Sequence, residues 1–401
     1  MSAVDLPPDT PYGLDHLPYG VFSTEDESPR VGVRVGDLVL DLAPVAAADG
    51  IQSAPVFAEP SLNAFLSYGR GHWTAVREWL VDVLTQEANA DLVAPHLRPV
   101  SEVRLHLPVE VADYVDFYAS EHHASNVGRI FRPDGDPLTP NWKHLPIGYH
   151  GRAGTVVVSG TDVVRPQGQR RDRGEASPTF GPSTRLDIEA ELGFVVATPT
   201  GLGQQVGVGA FADHVFGVVL LNDWSARDLQ AWEYVPLGPF LGKSFATSIS
   251  AWVTPLQALE AARVPLPEQD PAPLPYLSGD DLPAYDLDLE VELNGTVVSR
   301  PPYASMYWSP AQMLAHLSVN GASLRTGDLF ASGTVSGPNR EQVGSLLELT
   351  LNGAEPVAVG EGTRAFLQDG DTVTLRASAT SVGGGRIALG EVTGTIQPAT
   401  T

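Results

Sequence analysis

Apolar and polar positions alternate along most of this chain, which predicts a strand-rich protein. VGVRV, from Val31 to Val35, has the two-residue period of a half-buried strand. Gly36-Asp37 supplies a hairpin turn, and LVLDL is the return strand. From 61 to 93 the period changes. Leu62, Phe65 and Leu66, then Trp73, Val76, Trp79 and Leu80, recur near helical spacing. VAPHLRPV, residues 93–100, reads as a proline-punctuated connector. A boundary near residue 108 is expected, so that 1–108 form a small β-barrel with a helical appendix and 109–401 form a second, larger part. The second part is strand-rich and punctuated by glycine. GRAGTVVVSGTDVVRP, DLDLEVELNGTVVS, LELTLNG and DTVTLRASA read as strands, and HVFGVVLLNDWSARDLQAWEYV as a buried strand running into a helix. Residues 261–283 read as a Pro- and Asp-rich loop, and RPQGQRRDRG, from Arg165 to Gly174, as a mobile charged loop.

Composition sharpens this picture. Forty glycines and 34 prolines, scattered through 401 residues, fit many turns and short strands. No apolar run is long enough for a membrane span, and the N-terminus lacks the basic-then-apolar order of a signal peptide. Cysteine is absent, so disulfides and thiolate metal sites are excluded, and a cytoplasmic address is the default. The net charge of −24 is the opposite of a nucleic-acid-binding footprint. It would also repel an acidic substrate, so a site for one must carry its own positive charge. Lysine occurs only at Lys143 and Lys243, which makes the place of each informative.

Four stretches carry candidate chemistry. DFYASEHHASNVGRIFR, from Asp116 to Arg132, packs a carboxylate, a phenol, two imidazoles and a guanidinium into one run. That mixture suits metal-assisted hydrolysis of an acidic substrate. If the run is extended, His122 and His123 face opposite ways and only one can serve the site. In LDIEAELGFVV, Glu189 and Glu191 share one strand face with Asp187. Such a pair can grip a divalent cation or decorate a solvent-facing edge. Asp223 ends an apolar strand, where it is either a functional carboxylate or the cap of the following helix. Arg227, Gln230 and Tyr234 fall on one face of that helix. Lys243 lies in a run of glycine, proline and aromatic residues, where a buried ammonium needs carboxylate partners. ASGTVSGP, ending at Pro338, presents hydroxyls but no phosphate loop, and Glu348 can orient a histidine or decorate a strand.

Taken jointly, LPYGVFST, the Asp116–Arg132 run, LPIGYHGR, DIEAE, NDWSARD, WEYVPLGPFLGKSF and ASGTVSGP resemble the fumarylacetoacetase (fumarylacetoacetate hydrolase) family over nearly the whole chain. The resemblance implies a mainly β fold with some α: a small SH3-like N-terminal barrel and a C-terminal mixed β-sandwich roll, usually a homodimer. It implies a divalent cation, Ca2+ or Mg2+, on Asp116, Glu189, Glu191 and Asp223, with Lys243 and Thr247 near a second cation. His123 matches the general base and Glu348 its orienting acid. Arg227, Gln230 and Lys243 match the groups around developing negative charge. Tyr118, Arg132, Tyr149, Gln230, Tyr234 and Thr334 match substrate contacts. His122 stands where relatives more often carry glutamine or glutamate, and no role is assigned to it. The implied reaction is hydrolysis of a carbon–carbon bond in a diketo acid, fumarylacetoacetate, the last step of tyrosine and phenylalanine breakdown. The alternative is a related hydrolase or decarboxylase of another acylpyruvate.

Overall fold

A computed structural model describes residues 3–172 and 174–400. Its organising element is a mixed sheet of 13 strands. Along its main path the order is Leu97–Pro99, Leu38–Asp41, Arg30–Val35, Tyr19–Ser23, Trp252–Pro255, Val215–Asp223, Ala190–Val196, Leu329–Ala331, Tyr114–Phe117, Gly148–His150. The N-terminal strands therefore run on into those of the second region, through Tyr19↔Val253 and Gly20↔Trp252. The expected hairpin is present, with Val35 opposite Leu38 across a Gly36-Asp37 turn. Gly36 has φ +59, which favours glycine there. Of the expected connector, Leu97–Pro99 is a strand, because its backbone pairs with Leu38–Leu40. The helical expectation holds for Asn63–Leu66 and Arg70–Thr85, which bury Phe65, Leu66, Trp73, Val76 and Leu80.

The two central strands, Ala190–Val196 and Val215–Asp223, are buried on both faces. Their alternation splits the interior into two cores. Leu192, Phe194, Val218 and Leu220 point into one, closed by Leu287–Leu293, Thr372–Thr380 and Arg386–Gln397 of a second, five-stranded sheet. Val195, Val219 and Leu221 point into the other, beneath Val33, Phe65, Trp73 and Leu80. Phe194 stacks on Phe330 at 5.2 Å and meets Phe211 edge-on at 6.1 Å. Truncation of a phenylalanine so enclosed costs about 3–5 kcal/mol, because the cavity does not close.

Three further sequence expectations change. Glu121–Phe131 is a helix and not extended chain, because Ser120 caps it by accepting from His123 N at 3.2 Å. Leu346–Leu349 is a short helix and not a strand, capped in the same way by Ser345. Gln167–Arg170 pairs with Thr179–Pro182, so part of the basic run is an ordered hairpin. Its Arg165 is buried on Asp369 and on the carbonyls of Ser183 and Leu367; Arg173 lies outside the described residues.

Candidate active site

Strand register brings the acids together. Asp116, Glu189, Glu191 and Asp223 come from neighbouring segments of the large sheet, and each has a carboxylate oxygen within 4.8 Å of one in every other. All four are buried. The solvent-edge reading of Glu189 and Glu191 therefore fails: Glu189 is enclosed by Lys243, Arg227 and His123, and Glu191 by Gly333 and the other acids. Asp223 is not the helix cap either: the N-cap position of Arg227–Glu233 is Ala226, and no side chain caps it. Gly333, with φ +74, turns the chain so that its N–H donates to Glu191 Oε2 at 3.1 Å. A Cβ there would sit 2.1 Å from Phe117 O.

The electrostatics ask for a cation. Burial, then Asp223, pushes the Asp116 carboxyl well above its usual range. Burial, then Asp116, Glu189 and Asp223, does the same to Glu191. Burial raises Asp223 too, opposed by Lys243. Glu189 goes the other way: burial would raise it, but Lys243, Arg227 and His123 together hold it below the carboxylate range. Asp116 Oδ1 and Glu191 Oε1 are buried with no hydrogen-bond partner. Buried lone pairs of this kind, on hard oxygen donors, fit a divalent ion. Lys243 Nζ bridges Glu189 Oε2 and Asp223 Oδ2, the latter at 2.8 Å. Thr247 Oγ1 donates to Asp223 Oδ1 at 2.9 Å, and Tyr149 Oη to Asp223 Oδ2 at 3.1 Å.

Beside the acids lies a dyad. His123 Nδ1 is 2.7 Å from Glu348 Oε2, and His123 Nε2 is 3.9 Å from Glu189 Oε1. Glu348 also accepts from Asn126 Nδ2 at 2.9 Å, Ser345 Oγ at 2.8 Å and Ser336 Oγ at 3.0 Å. Burial alone would raise Glu348, but His123 and these donors lower it, so it is ionised and must accept from Nδ1–H. In the neutral ring this fixes the tautomer and turns a bare Nε2 toward the acids. His123 is 2 % exposed whereas His122 lies nearer the surface. The distinction between them survives, but its cause is helical rotation and not strand alternation.

Arg227 is buried. Its Nε donates to Asp187 Oδ2 at 2.8 Å and its Nη1 pairs with Glu189 Oε1 at 2.7 Å, while Nη2 is buried without a partner. Gln230 Oε1 accepts from Arg227 Nη1 at 3.4 Å. Tyr118 sets its ring edge-on to His123 at 5.3 Å. Burial, then Glu189, raises its phenol; Arg132 is near enough to oppose that. Arg132 itself is exposed and donates to Pro137 O at 2.7 Å. Gly128 permits that loop to cross, since a Cβ would meet Pro137 O at 1.8 Å. Thr334 Oγ1 is buried and unpartnered. Tyr234 is 48 % exposed, and among the described residues no hydrogen bond ties its hydroxyl to the acids. Lys143 stands apart, paired with Glu121 near the surface. Asn126 and Ser345 went unnoticed in the sequence, and Asp187 and Ser336 were visible only as a face-mate of the acids and a loop hydroxyl; the Ser-x-x-Glu spacing of Ser345 and Glu348 was the one sign of the rest.

A mixed sheet bearing a carboxylate cluster able to hold a divalent ion, beside a His–Glu dyad, is an arrangement suited to a hydrolase, and comparison with known proteins gives its family. The model of the fumarylacetoacetate (FAA) hydrolase C-terminal region matches residues 113–397, and that of the fumarylacetoacetase N-terminal region matches 15–108. The chain belongs to the fumarylacetoacetate hydrolase family. It is 45% identical to fumarylacetoacetase of Arabidopsis thaliana over 415 residues, 99% of this chain and 98% of that protein. It is 43% identical to the Homo sapiens fumarylacetoacetase over 426 residues, covering 100% and 99%. Among solved structures, a fumarylacetoacetate hydrolase from Exiguobacterium antarcticum superposes with a TM-score of 0.58 at 17% identity, covering 95% of this chain and 99% of that one. Maleylpyruvate hydrolase from Sphingobium sp. SYK-6, solved with manganese(II) and pyruvate, gives 0.53 at 16% identity, covering 96% and 100%. These two share the fold.

Proposed function

We propose that the chain hydrolyses fumarylacetoacetate to fumarate and acetoacetate, in tyrosine and phenylalanine breakdown. The observation that carries this reading is the His123–Glu348 pair, 2.7 Å apart, opening its free nitrogen toward four clustered carboxylates. Identity to fumarylacetoacetases along the whole chain favours this substrate over another acylpyruvate.

Asp116, Glu189, Glu191 and Asp223 would hold a divalent cation, Ca2+ or Mg2+, with Lys243 and Thr247 bordering a second. Bound there, such an ion acts as a Lewis acid toward the two oxygens of a 1,3-diketone. His123 Nε2 takes a proton from water, and Glu348 steadies the resulting imidazolium. The hydroxide oxygen bonds to the fumaryl carbonyl carbon. Arg227, through its uncommitted Nη2, acts with Gln230 and Lys243 on the charge that develops on the carbonyl oxygen. The carbon–carbon bond then breaks, and the departing acetoacetate carbon receives the proton from His123. Tyr118, Tyr149, Tyr234 and Thr334 line the substrate, and Arg132 meets a terminal carboxylate, offsetting locally a net charge of −24.

The rest of the proposal is architectural. Residues 1–108 support a catalytic region of 109–401. A homodimer is in keeping with an apolar surface at Val235, Leu237, Phe240 and Leu241, each 49–96 % exposed. No described helix is long and apolar enough to cross a membrane, which is compatible with a cytoplasmic enzyme. The test is loss of the near-ultraviolet absorbance of fumarylacetoacetate, before and after chelation and with single metals restored. Turnover that is absent from the untreated protein, or unchanged by thorough chelation, overturns the reading.

A further inference from the structure

Asp187 lies at the floor of the site without touching the place where substrate would sit. It is 0 % exposed. Its Oδ1 accepts from Ile188 N at 2.7 Å and from Leu346 N at 2.7 Å. Its Oδ2 accepts from Arg227 Nε at 2.8 Å and from Leu347 N at 3.0 Å. All four partners are donors, and the three other than the neighbouring Ile188 belong to two functional limbs that are distant in sequence. Arg227 belongs to the anion-stabilising limb. Leu346 and Leu347 are the first residues of the helix that carries Glu348, which orients the base.

We infer that Asp187 is a positioning residue that couples the Arg227 arm to the Glu348–His123 dyad, so that both are in register for one hydrolytic step. A buried carboxylate with four donors has a single low-energy placement, since losing any of them strands a polar group. By gripping Nε, Asp187 turns the guanidinium so that Nη1 reaches Glu189 and Nη2 stays uncommitted. By gripping two backbone amides, it fixes the turn from which Glu348 reaches His123. One side chain thus sets the distance between proton acceptor and anion stabiliser. Strand alternation had placed Asp187 with Glu189 and Glu191; the geometry gives it this separate task.

The inference rests on the hydrolytic reading for its kinetic test and is independent of it for its structural test. Asp187→Asn keeps the volume but presents an amide NH2 to donors whichever way it flips. For a chain that remains folded by circular dichroism and thermal melting, kcat for fumarylacetoacetate should fall about 10²-fold, the scale of a misplacement of about 1 Å, with KM within about threefold. In a double-mutant cycle, Asp187→Asn should add less than about threefold to the loss caused by Arg227→Gln, because the two act as a unit. A folded Asp187→Asn enzyme with wild-type kcat, or losses that simply multiply, overturns the coupling. The structural test leaves Asp187 in place and needs no substrate. Arg227→Lys keeps a cation beside Glu189 but has no Nε for Asp187. Hydrogen exchange at the Leu346 and Leu347 amides should then speed up several-fold relative to the parent chain; unchanged protection overturns the inference. Loss of protection in a protein with no turnover of fumarylacetoacetate would instead refute the substrate and leave the coupling standing.

Discussion

Replacing Glu348 with glutamine removes one charge from the least visible part of the site. Around this carboxylate every described neighbour is a donor: His123 Nδ1, Ser336, Ser345 and Asn126. An amide has one acceptor oxygen, so something must turn. If its NH2 faces His123, Nδ1 must accept, the ring proton moves to Nε2, and the nitrogen nearest the acids is no longer a base. A wrong tautomer of this kind costs on the order of 10⁴ in kcat. If its oxygen faces His123, the NH2 meets Asn126, whose own amide can flip at the small cost of its 3.1 Å bond from the exposed Arg129. The tautomer is then kept and only the charge behind the imidazolium is lost, a cost nearer 10². Glu348→Gln should therefore lower kcat by about 10²–10⁴, or about 3–6 kcal/mol at 1.4 kcal/mol per decade. The assay is fumarylacetoacetate disappearance at saturating substrate, with metal content and melting temperature measured on the same preparation. On an Asn126→Ala background, with the clash relieved, the loss should settle at the smaller value. A Glu348→Gln enzyme within about threefold of wild-type kcat and fully folded would refute the dyad.

Other expectations follow from the same geometry. Glu191→Gln removes a buried, partnerless ligand oxygen, so elemental analysis should find less divalent metal and turnover should be lost; normal content and activity would sink the assignment. His123→Asn should cost about 10²–10⁴ in kcat with metal retained, whereas His122→Asn should keep most activity; reversed behaviour would place the base wrongly. Arg132→Lys keeps the charge but loses the planar fork, so KM should rise more than kcat falls, and an unchanged KM would count against carboxylate recognition. Burial lowers His16 to about 3 from 6.5, with its bond to Pro11 O opposing. The depressed folded value means its contribution is complete above 6.5 and is lost as pH falls toward 3. At pH 5 the difference is about 2 kcal/mol. Urea unfolding at pH 7 and 5 should show that loss in the parent chain and not in His16→Gln.

How much of this could be read from residues alone depended on range. The apolar strand ending at Asp223 and the Gly36-Asp37 hairpin are local patterns, and both appear; Glu189 and Glu191 do meet, although the strand breaks at Ile188 and Glu189 and only Glu191 lies within Ala190–Val196. Joint spacing of motifs, not periodicity, singled out His123 and Glu348. The errors have physical causes. LELTLNG alternates like a strand, yet Ser345 and Asp187 satisfy its first amides and wind it into a helix. The run from Glu121 looked extended because its imidazoles distracted from Ser120, a sound helix cap. Leu97–Pro99 became a strand only because a distant edge lacked a partner. Asp187 received no task of its own because no local pattern shows which long-range donors a carboxylate will meet.

The continuous sheet has a consequence for how the enzyme fails. Tyr19–Ser23 is bonded to Trp252–Pro255, which borders the strand that ends in Asp223. Peeling away the first hundred residues would bare a long row of unsatisfied amides and carbonyls and the apolar underside of Val195, Val219 and Leu221. The N-terminal region is thus not a module that melts by itself and leaves the chemistry intact. Damage at Phe65 or Trp73, side chains that meet no reacting group, should lower the single barrier to global unfolding. Such lesions would silence the enzyme through its lifetime in the folded state, with a normal rate per surviving molecule.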